Sequence, residues 1–179
     1  HVVKYVGSQQ PVKKSYSVIM EPQAVVDPHV KATIDDAGVV IFTDAAGEML
    51  LRETGQPTIE TRNDEANKGK FRISQAWVIG ADEDIFGLGQ LRDEAMSWRG
   101  REIELWNHNT FIAIPYFTSE KGYGLYWDNA GKSRFKEKGG EVTFSSEVAS
   151  SVDYYFFYRD GTQDGVIAAI RDLTGQATM

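Results

Sequence analysis

Residues 112–127 read Ile112-Ala113-Ile114-Pro115-Tyr116-Phe117-Thr118-Ser119-Glu120-Lys121-Gly122-Tyr123-Gly124-Leu125-Tyr126-Trp127. Two apolar runs, Ile112–Ser119 and Gly124–Trp127, flank a polar break that holds a glycine, and both are rich in isoleucine and aromatics, as strands are. The same signature recurs on either side. Ser15–Met20 is one such run. Lys31–Ile34 and Val39–Thr43 form a hairpin across Asp35-Asp36-Ala37-Gly38, whose glycine supplies the positive φ that such turns want. A second hairpin, Thr43–Leu51, turns around Asp44-Ala45-Ala46-Gly47. Phe71–Ile79, Arg101–Leu105, Glu141–Ser145 and Val152–Tyr158 complete the series, and Thr61–Lys70, with seven charged or amide side chains in ten, reads as an exposed loop.

Helical spacing occurs only over Thr162–Leu173, where Val166, Ile167, Ile170 and Leu173 share a face. Thr162 can cap the first amides, Asp164 suits the positive first turn and Gly175 follows the end. With no crossover helices between the strands, the pattern predicts an all-β fold, an antiparallel β-sandwich with a C-terminal helix, rather than a βαβ fold. The expected division is a sandwich over residues 1–160 and, over 161–179, a helix that begins a linker.

A chain of 179 residues and 20.0 kDa suits one self-supporting core. Without cysteine there is neither a disulfide framework nor a cysteine-ligated metal. A net charge of −7 lacks the basic face that nucleic acid demands, and no apolar run approaches the roughly 20 residues that span a bilayer. Neither nucleic acid nor membrane is therefore an expected partner. The sequence opens at His1 without an initiator methionine, which reads as an excised piece.

Familiar catalytic signatures are missing. His1, His29 and His108 show no i, i+3 or i, i+4 pairing, so no metal is expected, and no Gly-x-Ser-x-Gly elbow occurs. Phe86-Gly87-Leu88-Gly89-Gln90 lacks the third glycine of a dinucleotide site and reads as a tight turn at a strand edge, so no cofactor is expected. Asp82-Glu83-Asp84 and Asp93-Glu94 read as solvated acidic turns. The stretch Phe86–Phe135 is richer in signal. It holds three of the four tryptophans (Trp98, Trp106, Trp127) with Tyr116, Tyr123 and Tyr126 among Asn, Arg and Asp, a mixture suited to sugar rings and equally to a sandwich core.

Ordered motifs in this stretch resemble the N-terminal β-sandwich domain of glycoside hydrolase family 31, the α-glucosidase and α-xylosidase family. Phe86-Gly87-Leu88-Gly89-Gln90 is similar to the family's aromatic-Gly-Leu-Gly-Glu turn, with Gln90 where Glu is usual. Trp106-Asn107 resembles the Trp-Asn that opens a loop into the active site. Ile114–Ser119 followed by Gly122–Asn129 resembles the family's hairpin, and Asp153–Phe157 the strand before a helix ending in Leu173-Thr174-Gly175. Residues 1–85 match in strand pattern alone.

The resemblance implies a galactose-mutarotase-like sandwich without catalytic residues. The nucleophile and the acid/base, both aspartates, would stand on a (β/α)₈ barrel of roughly 250 further residues. It implies an α-linked oligosaccharide as substrate and the barrel of the same chain as partner. It also implies a substrate-pocket loop of Trp106, Asn107, His108 and Asn109. Asn109 occupies the position of a substrate-touching aspartate, keeping hydrogen bonds but not the charge. The Asn-Thr after His108 and the later Gly-Leu-Tyr-Trp-Asp-Asn lie closer to the α-xylosidase branch than to the α-glucosidases. Bacterial relatives place such enzymes in the periplasm or the cytoplasm, the periplasm being slightly favoured. Two other readings compete: a self-sufficient carbohydrate-binding module stacking sugars on Trp98, Trp106 or Trp127, and an aldose epimerase relying on His108.

Overall fold

The alternation in Phe71–Val78 and Ser133–Lys138 becomes a sheet with one wet face, whereas the unbroken apolar run Tyr123–Trp127 becomes a strand buried on both sides. The computed structural model describes residues 1–6, 15, 18, 29–92 and 95–176. In chain order these form β1 (Val2–Tyr5), β2 (Val30–Ile34), β3 (Val40–Asp44), β4 (Met49–Glu53), β5 (Thr58–Thr61), β6 (Phe71–Val78), β7 (Ile85–Gln90), β8 (Glu102–Leu105), β9 (Ile112–Ser119), β10 (Tyr123–Trp127), β11 (Ser133–Lys138), β12 (Glu141–Ala149), β13 (Ser151–Tyr158) and α1 (Gln163–Thr174). The reading of Ser15–Met20 as a strand and of Asp93-Glu94 as a solvated turn falls largely or wholly outside the described residues.

The strands make two antiparallel sheets. One has five strands in the order β1-β13-β10-β9-β7; the other runs β2-β3-β4-β6-β12-β11-β8, with β5 paired to β6. Both expected hairpins form, with Ile34 opposite Val40 in the first and Phe42 opposite Leu51 in the second, and Gly38 takes a φ of +73°. The sheets meet face to face through aromatics. Trp77 of β6 packs edge-on against Trp127 and Tyr154 of the facing sheet, at centroid separations of 6.2 and 5.1 Å, and Phe117 reaches across to Phe135 and Phe144. Trp77, Phe117, Trp127, Phe135, Phe144 and Tyr154 are all fully buried.

The outer face of the five-stranded sheet carries a second layer. Tyr116, Tyr126, Tyr155 and Phe157 pack there against Val166 and Leu173 of α1. Thr162 caps that helix by accepting the Gly165 N–H at 3.0 Å, and the Tyr116 hydroxyl donates to the Val166 carbonyl at 3.2 Å. The continuous burial of β10 follows, since Tyr123, Leu125 and Trp127 face the other sheet while Tyr126 faces the helix.

Two sequence expectations need correction. Gly87 and Gly89 lie inside β7 rather than at a turn. Gly87, Leu88 and Gly89 have φ of 102°, 65° and 100°, and the pairing slips between the two glycines, leaving Ile114, Pro115 and Tyr116 of β9 opposite Leu88 alone, so the β7–β9 ladder is bulged with its extra residues on β9. A side chain at residue 89 would start 2.0 Å from the Ile112 carbonyl oxygen. Likewise, the Asp82-Glu83-Asp84 turn is not wholly solvated. Glu83 is buried, accepting from the Gly80 N–H at 2.8 Å and from the Ser119 and Tyr123 hydroxyls, with Lys121 Nζ at 2.9 Å. Four partners offset the cost of burying a carboxylate, a condition that residue type and spacing do not reveal.

Candidate functional site

The loop between β8 and β9 carries the four residues expected at a substrate pocket, and it crosses from one sheet to the other. Its ends are fixed first. Asn107 Oδ1 accepts the Ala113 N–H at 2.7 Å, and Phe111 N–H donates to the His108 carbonyl at 2.9 Å, closing a turn. Asn109 sits in that turn at φ +51°, a conformation that asparagine tolerates better than most side chains. Its side chain is exposed at the tip.

The remaining side chains form a stack. Trp106 lies parallel to His108 at 4.4 Å and His108 to Phe111 at 4.8 Å. Cations stand at either end: Lys132 Nζ is 5.4 Å from the Trp106 ring centre, and the Arg92 guanidinium is 5.9 Å from that of Phe111. Lys132 also pairs with Glu104 at 3.0 Å. Lys132, with Arg134 beside it, holds the Glu104 carboxyl below the ordinary glutamate value. Trp106, His108 and Asn109 thus share one ordered prong, while the amide oxygen of Asn107 is committed to the backbone.

Beneath the prong lies a cleft of about 430 Å³, lined among others by Trp106, Asn107, Tyr126, Asn129, Lys132 and Ser133. An apolar groove of about 790 Å³ adjoins it, sharing Ala113, Pro115 and Tyr126. Among the described residues neither hollow is lined by an aspartate or glutamate. Neither therefore presents the carboxylate pair, about 5 Å apart, that retaining glycoside hydrolysis requires. The cleft offers amide, ammonium and hydroxyl groups, which can donate and accept hydrogen bonds but include no carboxylate.

The tryptophans separate clearly. Trp98 and Trp127 are 4% and 0% exposed, so neither presents a ring to a sugar; both are core residues, as the facing sheets demand. Trp106, at 45% exposure, has its ring engaged by His108 and Lys132. Sequence reading did not single out Lys132, Arg92 or Phe111 for the site. Phe111 lies two positions past Asn109, whereas Arg92 and Lys132 arrive only through folding and carry no local signal.

A family model described as the glycosyl hydrolase 31 N-terminal galactose mutarotase-like domain matches residues 12–135. The match begins well before Phe86, where the recognisable motifs start. An α-xylosidase of Saccharolobus solfataricus is 30% identical over 118 residues, 61% of this chain and 16% of that protein. α-Xylosidase A of Aspergillus niger is 31% identical over 109 residues, 60% of this chain and 15% of that protein. The chain thus spans about a sixth of the length of these curated relatives. In fold it is similar to the family 31 α-xylosidase of Xanthomonas citri, with a TM-score of 0.80 at 17% identity, covering 93% of this chain and 36% of that one.

Proposed function

Because the chain belongs to the family of glycosyl hydrolase 31 N-terminal galactose mutarotase-like domains, we propose that it serves as the noncatalytic N-terminal domain of a retaining α-glycosidase, an α-xylosidase in preference to an α-glucosidase. The observation that carries this reading is the length relation: α-xylosidases align with the chain over only 15–16% of their own length. Catalysis then belongs to the remainder, a (β/α)₈ barrel bearing both aspartates. The domain lends Trp106, Asn107, His108 and Asn109 to the rim of the substrate pocket.

Each rim residue has a role consistent with its surroundings. Asn107 latches the loop to β9 through the Ala113 N–H. Trp106 and His108 stiffen it by stacking. Asn109 at the exposed tip offers an amide to sugar hydroxyls of an α-linked oligosaccharide. In this reading residues 1–160 are assigned to the sandwich and residues 161–179 to the helix and the start of the connection to the barrel; among the described residues, α1 packs back on the five-stranded sheet.

The test is substitution within the parent enzyme. Asn109→Ala should lower kcat/KM for α-xylosides by about tenfold, the order expected for losing one directed hydrogen bond to a substrate hydroxyl. Unchanged kinetics in Asn109→Ala, Trp106→Ala and His108→Ala would remove the loop from the pocket. Oligosaccharide titration of the 179-residue chain tests the competing carbohydrate-module reading, which requires binding that Trp106→Ala abolishes.

A further inference from the structure

The cleft beneath the prong is rich in donors and poor in acceptors. Asn107, from the β8–β9 loop, and Asn129, from the connection between β10 and β11, both line it. Each has its amide oxygen held against the backbone: Asn107 Oδ1 accepts the Ala113 N–H at 2.7 Å, and Asn129 Oδ1 accepts the Gly131 N–H at 2.9 Å. In both side chains the NH₂ group is therefore what is left for a ligand, and it can only donate. Lys132 adds an ammonium with three N–H groups, and Glu104 takes one of them at 3.0 Å. Ser133 does not restore the balance. It is buried, its Oγ donates to the Gly131 carbonyl at 3.0 Å, and the same atom lies 2.7 Å from Ser146 Oγ.

Charge and shape narrow the ligand. Lys132, Arg134 and Lys136 share two carboxylates, those of Glu104 and Glu102, at separations of 3.0 to 3.8 Å, so this corner holds a cation in excess on a chain whose net charge is −7. Such a set of donors suits an oxyanion, because hydrogen bonds to an ionised acceptor are the strong ones. The lining also includes Leu105, Ala113, Pro115 and Trp106, which a bare phosphate would leave uncovered and the C–H groups of a sugar ring would pack against. A volume of about 430 Å³ falls within the range of small-molecule sites. We propose that the cleft binds a carboxylate-bearing sugar, a uronic acid residue. Its carboxylate takes the Asn107 and Asn129 amides and the Lys132 ammonium, and its ring lies on the apolar lining. All of these groups belong to this chain, and none is an acid or base that hydrolysis could use, so the site recognises the sugar without cleaving it.

The experiment titrates the 179-residue chain with methyl α-D-glucuronide and with methyl α-D-glucoside, which differ only in carrying a carboxylate or a hydroxymethyl group, and follows side-chain amide signals by nitrogen–proton NMR. The glucuronide should bind with a millimolar Kd and move the Asn107 and Asn129 signals. The glucoside should bind at least about tenfold more weakly, the order expected when hydrogen bonds lose an ionised partner. Asn107→Asp and Asn129→Asp keep the acceptors for the Ala113 and Gly131 N–H groups while exchanging the NH₂ for a carboxylate oxygen. Each should leave the melting point nearly unchanged and weaken glucuronide binding at least about tenfold. Lys132→Gln, at a side chain 36% exposed, removes the ammonium without touching either backbone contact and should weaken binding by about tenfold as well. Equal binding of the glucoside, no glucuronide binding by the folded chain, or full affinity in all three variants overturns the proposal. Acetate or inorganic phosphate moving the same signals at the same concentrations makes the cleft a general anion site and overturns the assignment to a sugar acid. The function proposed above stands apart from these outcomes, being decided by α-xyloside hydrolysis in the parent enzyme.

Discussion

Glu53 offers the sharpest test of how the sandwich is held together. Its side chain is fully buried in β4, and its carboxylate gathers three donors from three other strands: Lys4 Nζ of β1 at 2.6 Å, the Val40 N–H of β3 at 2.8 Å and the Tyr154 hydroxyl of β13 at 2.9 Å. β1 and β13 belong to one sheet, β3 and β4 to the other, so the group ties the layers together. In Glu53→Leu the apolar volume is nearly kept, but an ammonium, an amide and a phenol lose their acceptor together. Breaking a buried pair from one side costs about 3–5 kcal/mol. In a domain of this size, where each kcal/mol shifts Tm by about 2–4 °C, the melting point should fall by about 6–20 °C. Glu53→Gln should cost far less, about 1–2 kcal/mol. Its oxygen can serve Val40 and its amide can donate to Tyr154, while Lys4, whose side chain is 18% exposed, can turn to solvent. Urea unfolding and calorimetry read both variants. Equal destabilisation by Leu and Gln, or a loss below about 1 kcal/mol in Leu, would refute the claim that this carboxylate clamps the two sheets.

Other outcomes follow from the same geometry. Gly89→Ala places a Cβ 2.0 Å from the Ile112 carbonyl oxygen at a φ of +100°, so it should destabilise by about 2 kcal/mol or more, measured by denaturant midpoint. Asn107→Ala removes the acceptor for the Ala113 N–H and should cost about 1 kcal/mol. It should also lower the NMR order parameters of residues 106–111, with Asn107→Asp restoring them. Burial, with Glu83 and Glu53 adding to it, pushes the Tyr123 and Tyr154 phenols well above 10.0. Their contribution to stability is therefore complete below pH 10 and lost as pH rises beyond it. Burial also raises the Tyr116 and Tyr155 phenols, so in an alkaline absorbance titration these four of the eight tyrosines should lag behind the exposed ones, with Tyr123 and Tyr154 ionising only as the domain unfolds.

Much of the fold is legible because a strand's period shows whichever sheet it joins. β9 was bounded to the residue, and the helix cap at Thr162 followed from its hydroxyl. What escaped is what only a partner decides. β1 and β5 are four-residue strands with little alternation, recruited by pairing with β13 and β6. β11 alternates charge with Ser133, Phe135 and Glu137, and Glu137 is buried because it accepts the N–H groups of Gly100 and Gly140, so polarity there concealed an inward face. The prong shows the same limit. Trp106–Asn109 was readable as a motif, whereas the cations that complete the stack come from residues 16 positions before His108 and 24 after it, in segments whose composition says nothing of the loop.

In the function proposed above, the sandwich supports catalysis without performing it. Nitrophenol release from nitrophenyl α-xyloside by the purified 179-residue chain tests that claim most directly. The predicted result is no release above the enzyme-free blank at any concentration of the chain. Turnover that rises in proportion to the chain, and persists through successive purification steps, would contradict it.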